Sequence, residues 1–134
     1  MDLIKADELA EKPAPSAYFT GEVWQIPLGA PPAPARVKVL SVRFAPGGRT
    51  NWHAHPLGQT LIVLGGVGRV QLKGEPVREI AAGDVVRIPP GEVHWHGAAP
   101  DAEMIHIAVQ EELDGSAADW LEPVTDGDYR AAPG

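Results

Sequence analysis

The chain has 134 residues, the length of one domain built around a single core. Its 18 acidic residues outnumber 11 basic ones for a formal charge of −7, and no basic stripe offers a surface to nucleic acid. Cysteine is absent, which rules out disulfides and thiolate ligands, and the longest apolar run, TLIVLGGVG, is far too short to span a bilayer.

The N-terminal MDLIKADELAEK lacks the apolar centre of a signal peptide. A cytoplasmic protein is expected, with neither nucleic acid nor membrane as partner. Fifteen glycines and fourteen prolines, scattered at turn positions, favour many short elements joined by tight turns and so an all-β fold.

Taken in order, residues 1–17 read as an arm. YFTGEVWQIPLG (18–29) reads as a first strand carrying Val23, Trp24 and Ile26, and APPAPA (30–35) as a semi-rigid connector. In RVKVLSVRFAPGG (36–48) the period is two: Leu40, Val42 and Phe44 share one face, and Val39, Ser41 and Arg43 the other. RTNWHAHP (49–56) alternates with a bend expected near Asn51, and Pro56 limits pairing there. QTLIVLGG (59–66) reads as a strand ended by a glycine pair, and VGRVQLKGE (67–75) as another.

Residues 77–98 give two short strands around Ala82-Gly83-Asp84, a Pro-Pro-Gly turn, and a strand carrying His94. In AEMIHIAVQEE (102–112), Met104, His106, Ala108 and Gln110 face one way. Ile105, Ile107 and Val109 face the other, as core or as a subunit contact. The acidic segment 113–134 is expected to be solvated, with a short helical turn from Ser116 docked by Trp120. Trp24 and Trp120 are assigned to the core, Trp52 and Trp95 to packing between sheets or a subunit contact, and Arg69 and Arg87 to the surface of strands. About eight strands with regular turns imply a sandwich or small barrel.

The chemistry lies in HAHPLGQ, residues 53–59. In an extended strand residues i and i+2 share a face, so His53 and His55 can present two imidazoles to one point. Gln59 opens the next strand and offers an amide oxygen. His94 comes from a distant strand that a curled sheet can bring alongside. Three nitrogens and an oxygen suit a divalent first-row metal, Mn, Fe, Co, Ni, Cu or Zn, with positions left for substrate. An isolated HxH is as readily a pair of packed histidines. Here, though, all five histidines fall between residues 53 and 106, and His94-Trp95-His96 repeats the spacing.

The same stretch resembles the two motifs of the cupin superfamily. Gly47, His53, His55, Gln59 and Gly66 fit G-x5-H-x-H-x3,4-E-x6-G with Gln for Glu; Gly83, Pro89, Gly91 and His94 fit G-x5-P-x-G-x2-H-x3-N with Ala98 for Asn. The stretches HPLGQTLIV, PGEVHWHGAAP and QEELDGSAADWLEPVTDGDY are similar to small bacterial manganese cupins with hydroxynitrile lyase activity, glutamine included. Leu40 departs from that group, where a smaller residue lines the pocket.

The resemblance implies an all-β cupin, a double-stranded β-helix or jelly-roll barrel. It would be one domain over 1–134, with an arm at 1–17, the barrel at 18–112 and a C-terminal segment at 113–134. It implies a divalent metal, Mn(II) first and Fe, Ni, Co or Zn after it, held by His53, His55, Gln59 and His94. It also implies a small-molecule substrate and a homodimer or homotetramer.

Cyanohydrin cleavage needs a proton acceptor, positive charge near the developing oxygen or departing cyanide, and an apolar pocket. His106, and after it His96, is expected to carry the proton. Leu40, Val42, Phe44 and Ala108 are expected to line the pocket, with Thr50 as a donor at its mouth and Gln110 orienting the substrate. Two other readings stand beside the lyase: a metal-dependent cupin dioxygenase acting on a small organic substrate, and a non-enzymatic ligand-binding cupin.

Overall fold

The computed structural model describes all 134 residues, Met1–Gly134. The alternating segments fold as twelve strands: β1 Lys12–Pro13, β2 Phe19–Thr20, β3 Val23–Gly29, β4 Val37–Phe44, β5 Arg49–Thr50, β6 His53–Ala54, β7 Gln59–Leu72, β8 Arg78–Ala81, β9 Val85–Ile88, β10 His94–Ala98, β11 Met104–Glu111 and β12 Asp119–Trp120. One helix, α1 Asp126–Tyr129, and a 3₁₀ turn at Ala6–Glu8 complete the chain. The fold is all-β, as expected. No helix is long and apolar enough to cross a membrane.

All pairings are antiparallel, and the sheet curls along the order β1-β3-β4-β11-β7-β10-β5-β2. Strand β7 is the spine. Its first half pairs with β11 and β9, and its second half with β10 and β8. The sequence reads as two strands here, and the structure has one. The glycine pair is a corner, not a stop. Gly66 has φ 76°, and a Cβ there would sit 1.8 Å from the Glu103 carbonyl oxygen. Only glycine fits both demands. The facing strand shifts register between Ile105 and His106 at the same level, so the corner bends both partners.

Val23, Val42, Phe44, Val63, Val70, Ile80, Ala98 and Met104 fill the curl. A second cluster, Trp52, Val77, Trp95, Val124 and Tyr129, covers the outer face of β10. Trp95 packs there because it alternates away from His94 and His96, and its Nε1 donates to Gln71 Oε1 at 2.8 Å.

This second cluster revises the expectation for the acidic C-terminal segment. Val124 and Tyr129 are almost fully buried, and burying side chains of that size stabilises by about 1.5–3 kcal/mol each. Arg49 ties the segment down: its Nη2 donates to the Val124 carbonyl and to Asp126 Oδ1, both at 2.8 Å. Arg69, expected on the surface, is half-buried and donates to the carbonyls of Tyr129 and Ala131 at 2.9 Å. Arg87 is exposed, as expected.

No helical turn begins at Ser116. Leu113 and Ser116 form a bridge, and β12 follows. The helix comes later, where Thr125 caps it by accepting from the Asp128 amide at 3.2 Å. Trp24 is half-buried with the Arg43 guanidinium 3.9 Å over its ring, not enclosed in the core. The arm is not wholly detached either, since β1 pairs with β3.

Candidate metal centre

Strand β10 projects His94 and His96 to the inside of the curl. The antiparallel pairing of β6 with β10 sets His53 directly opposite His94. His55 follows two residues on, and Gln59 opens β7 across from Gln110 on β11. The ring centroids lie 4.9 Å apart for His53–His55, 4.2 Å for His53–His94 and 5.4 Å for His55–His94. All three side chains are buried.

Each of these rings is anchored on the same nitrogen. His53 Nδ1 donates to the Asn51 carbonyl at 2.9 Å, His55 Nδ1 to that of Ala117 at 2.7 Å, and His94 Nδ1 to that of Glu92 at 2.9 Å. A carbonyl can only accept, so Nδ1 carries the proton and Nε2 keeps its lone pair. This is how metal-binding histidines are oriented. Buried His55 Nε2 finds no hydrogen-bond partner, a costly arrangement for a polar atom with no ligand to meet. Gln59 Oε1 lies 3.2 Å from His94 Nε2, and Gln59 Nε2 donates to Gln110 Oε1 at 3.1 Å. The amide is thereby turned with its oxygen toward the histidines.

Distance alone picks a slightly different set, because ligand atoms of His53, His94 and His96 lie within 4.8 Å of one another. The two sets share His53 and His94. His96 differs in its anchoring, since its Nδ1 meets another imidazole, His106 Nε2, at 2.9 Å. Hydrogen bonding therefore favours His55, and His96 belongs with His106. On either count three histidines here can hold a metal.

Burial holds every one of these imidazoles below its ordinary value of 6.5. His53 and His96 are driven well below it, by burial first and then by neighbouring imidazoles. His55 is lowered, again by burial. His94 and His106 are lowered to about 4, both chiefly through desolvation. At neutral pH the site is a set of uncharged bases. The buried His96 Nε2 and His106 Nδ1 are both unpaired.

These groups line one face of a cavity of about 370 Å³. Leu40, Val42, Phe44, Thr50, Ala108 and Gln110 all border it, with His53, His55, Gln59, His96 and His106. His94 is fully buried behind them. Thr50 Oγ1 accepts from the His96 amide at 3.2 Å. Sequence reasoning missed Phe19, Lys38 and Glu112 at the walls, and it missed the loop 115–118 and Trp120. Trp120 is half-buried and borders the cavity, whereas core packing was expected of it. No side-chain periodicity in a loop announces such a position.

A curled antiparallel sheet with two histidine-bearing strands facing its interior defines a cupin. The cupin-domain family matches residues 40–109, and the chain belongs to that family. Over 130 residues, 97% of this chain and 99% of the relative, it is 53% identical to an (R)-mandelonitrile lyase of Granulicella tundricola. A cupin-like protein of Thermotoga maritima superposes with a TM-score of 0.84 at 46% identity, over 88% of this chain and 90% of that one. A polyketide cyclase of Streptomyces resistomycificus superposes with a TM-score of 0.76 at 17% identity, over 96% and 90%. That likeness is one of fold alone. The resemblance read from the two motifs is borne out.

Proposed function

We propose that this cupin is a metal-dependent lyase that cleaves and forms cyanohydrins. His53, His55, Gln59 and His94 hold the metal, Mn(II) before Fe, Co, Ni or Zn. One observation carries the reading: the His96–His106 pair, two buried neutral imidazoles 2.9 Å apart, stands at an aromatic-walled cavity beside the other three histidines. A pure binding pocket has no need of coupled proton carriers. The identity to an (R)-mandelonitrile lyase supports the same reading.

When bound, the divalent ion supplies a Lewis acid whose charge the neutral Gln59 leaves intact. The chain's own residues do the rest. The substrate hydroxyl gives its proton to His106, the carbon–oxygen bond becomes a carbonyl, and the carbon–carbon bond to the nitrile breaks with its electron pair on cyanide. The proton then passes to cyanide, releasing hydrogen cyanide and the aldehyde.

The shared hydrogen bond lets the pair exist in two tautomers, with the free lone pair on His106 Nδ1 or on His96 Nε2. A proton taken at one ring can thus be handed on from the other. Thr50 already accepts from the His96 amide, so its own O–H is free to donate into the cavity. Gln110 keeps an amide N–H₂ for the substrate. Leu40, Val42, Phe44 and Ala108 hold the carbon skeleton.

The test is cyanide release from mandelonitrile by Mn(II)-loaded protein against a metal-stripped control. Release no greater than the control removes the lyase. Oxygen uptake with enols or catechols would replace it with the dioxygenase.

A homodimer or homotetramer is proposed as well, joined through the outer face of the β4-β11-β7-β9 sheet. Ile62, Leu64 and Val85 stand 38%, 56% and 55% exposed there. Ile107 pairs beside Ile62, and Val85 pairs on its other side. Such an apolar patch suits a subunit contact. Light scattering on the wild type and on Leu64→Lys tests it: an oligomer that dissociates in the variant supports this face, and a wild-type monomer removes it.

A further inference from the structure

The loop before β12 and β12 itself reach both histidines of the HxH pair, yet supply no metal-binding side chain. Trp120 pairs with His53 in register. Its indole stacks on the His53 ring, centroids 4.6 Å apart and planes 27° apart. Tyr18 stacks on Trp120 at 4.6 Å and 15°. Ala117, three residues earlier, provides the carbonyl that fixes His55 Nδ1. The strap is held to β6 by Leu121 N donating to the Trp52 carbonyl at 2.9 Å and Trp52 N donating to that of Glu122 at 3.0 Å. Asn51 Nδ2 adds a bond to the Leu121 carbonyl at 3.1 Å.

We propose that Trp120 is a positioning residue of the metal centre: the strap 117–122 clamps His53 by stacking and His55 by a backbone carbonyl, and so sets metal affinity. This rests on the reading of the histidines as a metal site, not on the lyase reaction. His53 opens a two-residue strand and His55 lies just past its end, before Pro56. Strand pairing alone leaves the rings free to turn about their side-chain bonds; the Asn51 carbonyl and the Trp120 face together hold His53, and the Ala117 carbonyl holds His55. A metal draws charge from a ligating imidazole and makes the ring more cationic. The face of an indole attracts such a ring more strongly than a neutral one. Trp120 therefore favours the loaded state over the free state, which a merely structural residue does not.

The experiment is calorimetric titration of Mn(II) into metal-stripped wild type and into Trp120→Phe, Trp120→Leu and Trp120→Ala, each checked for folding by circular dichroism. Leucine keeps apolar bulk without the aromatic face, and phenylalanine keeps the face. Leu and Ala should weaken Mn(II) binding by about tenfold or more, the scale of groups that orient metal ligands, with Phe within about threefold of wild type. Affinity in the leucine variant within about twofold of wild type overturns the inference, as does equal weakening by Phe and Leu. If the affinities follow the expected order but wild type releases no cyanide from mandelonitrile, the clamp stands and the lyase falls. Normal cyanide release with unchanged affinities has the opposite meaning. A wild type that takes up no Mn(II) removes both.

Discussion

The two walls of the cavity are built by different rules. On one side are β6, β10 and the start of β7, carrying His53, His55, Gln59, His94 and His96. One polar atom of each side chain there is tied to a named partner: the carbonyls of Asn51, Ala117 and Glu92, the amide of Gln110, the ring of His106. On the other side are β4 and β11, whose Leu40, Val42, Phe44 and Ala108 line the cavity only because every second residue faces inward. The first wall fixes direction and the second fixes shape. His106 and Gln110 are the exceptions, polar groups on the β11 side that reach across to His96 and to Gln59. Substitutions on the first wall should therefore abolish function, and those on the second should tune it.

The largest effect is expected at His94, which sits opposite His53, donates through Nδ1 to the Glu92 carbonyl and sets its Nε2 lone pair 3.2 Å from Gln59 Oε1. His94→Ala should leave less than about a tenth of the wild-type metal per chain by elemental analysis, with cyanide release falling to the level of stripped protein. Full metal content in this variant would overturn both histidine sets, because they share His53 and His94. Next comes His106→Ala. Loss of a positioned base costs roughly 10²–10⁴-fold in rate, while Mn(II) affinity should stay within about threefold of wild type because none of the three carbonyl-anchored rings is touched. Equal losses of affinity and rate would move His106 to the other wall.

A third comparison uses pH on metal-stripped protein. In the unfolded chain a histidine titrates near 6.5, whereas in the fold burial lowers His94 and His106 to about 4. Between those values the unfolded chain binds more protons, so acid favours unfolding. Stability is full above about pH 6.5 and is lost as pH falls toward 4, by up to about 1.4 kcal/mol per pH unit for each such histidine. Denaturant melts at pH 7.5, 6 and 5 measure this, and Mn(II) loading should steepen the difference because the ion binds only neutral imidazole. A flat profile would show that water reaches the rings.

How much of this was legible in the sequence also divides by wall. The alternation of Leu40, Val42 and Phe44 and that of His106, Ala108 and Gln110 could be read directly, because a strand's period is local. His53, His55 and His94 were legible through the spacing of glycines, prolines and histidines. The anchors were not. Asn51, Glu92 and Ala117 act through backbone carbonyls, which every residue owns, so no residue type marks them. Trp120 is not placed by the sequence because its pairing with β6 spans 67 positions, and Ser116 resembles a helix-starting residue. Gly65-Gly66 looked like the end of a strand because the sequence does not show that Glu103 presses against the corner.

The smallest effect is expected where shape alone is at stake. Leu40 is half-buried at the cavity wall, paired with Ala108 on β11 and Pro27 on β3. Its side chain makes no polar contact, and it packs against the core cluster without belonging to the fully buried set. Leu40→Ala widens the shape-giving wall and leaves all five imidazoles anchored. A pocket gains or loses roughly 1–3 kcal/mol of discrimination per methylene-sized change, so kcat/KM for a bulky aryl cyanohydrin should rise several-fold against that for a small aliphatic one. Mn(II) affinity should not change. Stability should fall by less than the roughly 2–5 kcal/mol of a fully buried Leu→Ala change, because water already reaches part of the side chain. A parallel change for both substrates would show that Leu40 acts on the histidines and not on the shape of the space beside them, and the division between the two walls would then fail at its simplest point.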